Sequence, residues 1–111
     1  MTYTRLNQLK DSFVYSGTAT ATNSIKTLKD AGMLEGTWIV CAIIWPSSTN
    51  STDLQCRLNG SSSGLMMDKS SPTQSVTIVI TAICQNETMQ LETYCPTSTA
   101  IGWKFKGVRI A

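Results

Sequence analysis

The stretch Gly36-Thr-Trp-Ile-Val-Cys-Ala-Ile-Ile-Trp45 decides how this chain is read. It has no charge and no proline, and its β-branched and aromatic residues are those that favour a strand. Counted in twos, Trp38, Val40, Ala42 and Ile44 fall on one face, and Ile39, Cys41 and Ile43 on the other. Both faces are apolar. A strand with one wet face belongs at a protein surface, whereas a two-sided apolar strand has something packed on each side. That excess points to self-association.

Further along, residues 76–83 repeat the pattern, with Ile78 and Ile80 opposed to Val79 and Ile83. Two other stretches alternate cleanly: Leu54-Gln-Cys-Arg-Leu58, and Met89, Leu91, Thr93 and Cys95 beside Gln90, Glu92 and Tyr94. Strands are predicted over 37–45, 53–58, 65–67, 75–84, 87–94 and 103–110, separated by Pro, Gly, Asn and Ser clusters. The last strand carries a break of parity, since Trp103 and Phe105 share one face while Val108 and Ile110 share the other. Either Gly107 marks a bulge that restores the register, or both faces are covered.

Residues 1–35 are less decided. Leu6, Leu9 and Phe13 recur at near-helical spacing, and Thr18-Ala-Thr-Ala-Thr22 alternates like a strand. Asn23-Ser24 can cap a turn of helix closed by Gly32, but Ile25-Lys-Thr-Leu28 reads equally as an edge strand, which the β-rich surroundings favour.

A chain of 111 residues makes one domain with little room for a deep cleft. Charged residues are 14% and the net charge is +2, so no basic face argues for nucleic acid. No apolar run is long enough to span a membrane, and Met1-Thr-Tyr-Thr-Arg-Leu-Asn lacks the plan of an export signal. Cys41, Cys56, Cys84 and Cys95 show no Cys-x-x-Cys spacing and are expected to be reduced and largely buried.

Catalysis has little to stand on. The chain has no histidine, the commonest general base, and no nucleophile elbow or phosphate loop. Asp53, Asp68, Glu87 and Glu92 are scattered and read as solvated groups, and neither a metal nor a cofactor is expected. Three Asn-x-Ser/Thr triplets, at Asn50, Asn59 and Asn86, read as turn residues. Trp45, Tyr94 and Trp103 each lie beside a polar loop, a combination suited to sugar stacking and equally to closing the ends of a sandwich.

The order of motifs resembles a known family. Gly36-Thr-Trp38, Arg57-Leu-Asn-Gly60, Ser75-Val-Thr-Ile-Val-Ile80 and Phe105-Lys-Gly-Val-Arg-Ile110 resemble jelly-roll domains of the C1q and tumour-necrosis-factor type, and phage tail-fibre or head-fibre tip domains look similar. The resemblance implies an all-β jelly-roll sandwich over 17–111 behind an N-terminal arm or connector at 1–16. It also implies a homotrimer of ten-stranded protomers. Ile39, Cys41, Ile43 and Phe105 would then face the threefold axis, and Trp38, Val40, Ala42 and Ile44 would fill the core. The implied role is non-enzymatic: a virion fibre tip that contacts a host-surface receptor, possibly a glycan, and other virion proteins. Candidate receptor contacts are Trp45, Asn50, Thr52, Tyr94, Thr97 and Thr99. The alternatives are a structural fibre component that binds no receptor, and a secreted ligand.

Overall fold

The computed structural model describes residues 11–47, 53–71 and 77–111, and of 67–71 the backbone alone. Six strands follow one another: β1 (Ser12–Ala21), β2 (Lys26–Pro46), β3 (Leu54–Gly60), β4 (Gly64–Ser71), β5 (Ile78–Tyr94) and β6 (Thr99–Arg109). They form an antiparallel sheet in the order β1-β6-β2-β5-β3-β4.

The sheet is bent on itself because β2 and β5 turn a corner together. Three register shifts along 27–37 each give β2 one residue more than β5, so β2 takes the outside of the bend. Gly32 (φ 77°) and Gly36 (φ 91°) sit at two of the shifts, where a left-handed backbone suits glycine. Across the ladder, Asn86 adopts φ 50° and accepts a hydrogen bond on its Oδ1 from Gly36 N at 2.7 Å. One sequence-read turn residue thus marks the corner, inside a continuous strand.

The corner divides the sheet into two layers. Sheet I holds β1, β6, residues 38–46 of β2 and residues 78–85 of β5; sheet II holds residues 26–34, residues 87–94, β3 and β4. Numbering the eight arms in chain order gives 1-8-3-6 and 2-7-4-5. These are two nested Greek keys, the jelly-roll arrangement. The expected fold class is present, with eight arms among the described residues.

One apolar core lies between the layers. Sheet I contributes Trp38, Val40, Ala42, Ile44, Ile78, Ile80, Ile101, Trp103 and Phe105; sheet II answers with Leu34, Leu54, Cys56, Leu58, Met89 and Leu91. Phe13 packs edge-on to Phe105 with centroids 5.1 Å apart and also meets Trp38 at 5.8 Å. Lys29 Nζ stands 4.3 Å from the Tyr15 ring, joining the two layers at their rim.

An expectation for the N-terminal region is corrected here, and of the two alternatives for the last strand the one without a bulge holds. Phe13 belongs to β1, which starts at Ser12, within the segment read as a connector; Leu6 and Leu9 lie outside the described residues. The last strand carries no bulge, since its register with β1 and β2 runs unbroken through Gly107. Glycine is needed there for a different reason, because a Cβ would strike the Phe13 ring.

Candidate interaction face

The outer surface of sheet I is built by the odd-numbered residues of β2 and β5, with the lysines of β6 beside them. Register places Ile83, Ile39 and Val108 in one row, Thr81, Cys41 and Lys106 in the next, and Val79, Ile43 and Lys104 in the third. Val79 is 47% exposed and Ile83 61%, while Ile39, Cys41 and Ile43 are half-buried. Val14, on the neighbouring edge strand, is exposed as well. A shallow hollow of about 270 Å³ between Val14, Ile39, Cys41, Lys106 and Val108 continues this surface. A contiguous apolar area of this kind is uncommon on a soluble monomer.

Ile39, Cys41 and Ile43 therefore point outward together, opposite the core residues of the same strand. Phe105 does not. It shares the inner face with Trp103, is fully buried against Phe13, and so cannot line an intermolecular axis. Val79 and Ile83 stand beside Ile43 and Ile39 on the outer surface, and the two-sided pattern of residues 76–83 was the signal for them.

The proposed receptor contacts are dispersed. Trp45 lies half-buried on the outer face of sheet I, its indole over Gly102 where no side chain could fit. Tyr94 is half-buried on the outer side of sheet II, and Thr97 is exposed in the loop before β6. Thr99 is only 3% exposed: its hydroxyl donates to Thr97 O at 2.8 Å and lies 3.3 Å from Cys95 Sγ, so it organises the loop from inside and offers nothing to a partner. Asn50 and Thr52 lie outside the described residues.

Two carboxylates read as solvated are structural. Glu87 is 2% exposed, and its oxygens accept hydrogen bonds from Ser62 N (3.1 Å), Ser63 N (2.9 Å) and Ser63 Oγ (2.8 Å), which pins the turn between β3 and β4. Gly60 makes room for it, since a Cβ there would collide with Oε1. Burial pushes the Glu87 carboxyl up, but the hydrogen bonds from Ser63 and Ser62 outweigh it and hold the pKa below the ordinary value. Glu92, also buried, faces Arg57 Nε at 3.5 Å and accepts from Asn59 Nδ2 at 3.3 Å. The four cysteines are unbridged: Cys56, Cys84 and Cys95 are buried, and Cys41 is half-buried on the outer face. Burial, followed by the Glu87 charge, pushes the Cys84 thiol up. Among the described residues, no group of three His, Cys, Asp or Glu side chains is placed to hold a metal ion.

What this arrangement offers is a surface for packing. The class it defines is a jelly-roll domain with one apolar outer face. No protein-family model matches the chain, and no curated protein does. Its fold is similar to that of a chain in the solved structure of Bacillus endospore appendages, described as a novel family of disulfide-linked pili. The TM-score is 0.60 over 90% of this chain and 88% of that one, at 7% identity. At that identity the likeness is one of fold.

Proposed function

We propose that this chain is a non-enzymatic structural module of a surface fibre, assembling as a homotrimer through the outer face of sheet I. A phage virion fibre is the setting that the sequence resemblance implies. The observation that carries the reading is the row of outward Ile39, Cys41, Ile43, Val79 and Ile83, which leaves apolar area in water unless a partner covers it. Similarity to a pilus subunit supports a fibre role. Light scattering of the purified protein should give three times the 12.1 kDa chain mass or a multiple of it. Ile43→Lys should bring three charges to one apolar axis and abolish the threefold contact while each protomer stays folded. A wild-type protein that stays monomeric at micromolar concentration would refute the reading.

Receptor contact at the rim is a second reading, favoured by the placement of Trp45 over Gly102 at the end of this face. Glycan-array binding that Trp45→Ala abolishes, with the assembly intact, would support it. A blank array would leave a purely structural module.

A further inference from the structure

The four edges of the two layers are not alike. Residues 26–34 of β2, one edge of sheet II, carry Lys26, Lys29 and Asp30 and are broken by bulges. The other edge of that sheet, β4, carries Asp68 and Lys69 and has a register shift against β3. Charges and bulges on an edge are the devices by which sheets avoid pairing with other chains. Sheet I lacks them. Its edges are β1, Ser-Phe-Val-Tyr-Ser-Gly-Thr-Ala-Thr-Ala, and residues 78–85, Ile-Val-Ile-Thr-Ala-Ile-Cys-Gln, with no charge and no proline in either.

Both are also regular. The β1 register with β6 is unbroken from Ser12 to Ala21, and that of residues 78–85 with β2 from Ile78 to Gln85. Among the described residues, each has a hydrogen-bonded neighbour on one side only. Among the described residues nothing pairs with the row of backbone N–H and C=O groups on the other side of each, the kind of edge to which a strand can be added.

From these two edges we infer that copies of this chain join edge to edge, β1 of one docking on residues 78–85 of the next. The occupant is a second copy because this chain itself supplies both halves of the joint, and their directions fit. Every neighbouring pair in sheet I is antiparallel, so β1 and residues 78–85, at opposite edges of four strands, run in opposite senses. A copy displaced across the sheet without reversal brings its β1 antiparallel to residues 78–85, continuing the existing pattern. The side chains at the joint suit a strand pair: Val14, Ser16 and Thr18 on β1 meet Val79, Thr81 and Ile83 on the same outer surface.

Such a contact joins two different surfaces, so each added copy presents a fresh edge and growth continues. It deepens the fibre reading and rests on it. The two contacts lie at right angles. The apolar face would look toward the threefold axis, and the edges would stack copies along it.

Two variants with opposite edges blocked test the joint. Ser16→Lys/Thr18→Lys guards β1, and Thr81→Lys/Gln85→Lys guards the other edge; all four positions are exposed, and circular dichroism checks the fold. Read by mass photometry, the wild type should grow into long species. Each blocked variant should stop at the unit held by the face contact, and an equimolar mixture of the two should double that mass and go no further. Hydrogen exchange should show amides of 12–21 and 78–85 gaining protection on assembly of the wild type. Growth of either variant like the wild type, or a mixture that fails to double, overturns the inference. Ile43→Lys on the same instrument separates the two ideas: if it releases monomers while the edge variants match the wild type, the edge joint fails and the face reading stands. If it assembles just as the wild type does, and edge-blocked variants stop at the single chain, the face reading fails and the joint stands; growth in steps of one chain, with edge-blocked variants stopping at three chains, supports both. A protein that never associates fails both.

Discussion

Glu87 links a buried charge to the acid stability of the domain. Its carboxylate accepts from two backbone N–H groups and one hydroxyl of the 61–63 turn, and its folded pKa lies below the ordinary value. Hydrogen bonds to an ionised group contribute about 1.5–3 kcal/mol each. Ser62 and Ser63 are exposed, so water recovers much of that when the carboxylate is removed. Glu87→Ala should therefore cost about 2–3 kcal/mol in total. Glu87→Gln keeps an oxygen for the backbone donors and loses the charge, costing about 1–2 kcal/mol. The pH dependence follows from the direction of the shift. A carboxyl with a depressed folded pKa stabilises the fold above its unfolded value, near 4.3, and that stabilisation is lost as pH falls through the folded pKa. Urea unfolding at fixed protein concentration, stepped from pH 7 to pH 3, should show the wild type losing stability more steeply than Glu87→Gln below pH 5. The two curves should converge at the acid end. Parallel curves over the whole range would refute the assignment of this carboxylate to the turn.

Phe105→Ala should destabilise the fold by about 3–5 kcal/mol, because it empties the space between Phe13 and the opposite sheet; thermal unfolding reads the loss. A change confined to oligomeric state, with unaltered melting, would contradict its inward placement. Thiol labelling of the folded monomer should reach Cys41 first and leave Cys56, Cys84 and Cys95 until unfolding. Cys41 should become protected when copies associate. Gly102→Ala should lift the Trp45 indole from the sheet and red-shift its fluorescence, with little effect on the core; an unchanged spectrum would mean the ring does not rest there.

Much of the fold is legible in the chain because a strand's period of two is strict. Residues 38–44 alternate without interruption, and the sequence alone separates their inner from their outer set. Phe105 is misplaced by the family resemblance, and the period of two does not correct it, because nothing local says which side of β6 faces the core. That is decided by Phe13, 92 positions away in the chain, filling the space above Gly107. The corner is hidden for a similar reason. Gly32, Gly36 and Asn86 carry the residue types of a turn, and a left-handed residue inside a bent strand has the same signature as one between two strands. Glu87 has no sequence signal at all, since its partners Ser62 and Ser63 stand 25 and 24 residues away. Thr99 reads as a free hydroxyl because its neighbour Cys95 closes over it only once the 95–98 loop has folded.

The pairing of β1 with β6 also fixes how this domain carries force. Asp11 and Arg109 lie side by side, joined by Arg109 N to Asp11 O at 3.0 Å and by the ion pair of their side chains at 3.2 Å, and Ala111 is held to Thr37 close by. Tension between residues 11 and 111 pulls at one end of an antiparallel pair, so the rungs from Ser12–Val108 to Ala21–Thr99 open in succession, like the teeth of a zipper. Tension along the strand direction between lateral neighbours would instead load all rungs of a ladder at once, in shear. The domain is weak when drawn apart at residues 11 and 111 and strong when its flanks are sheared along the strands.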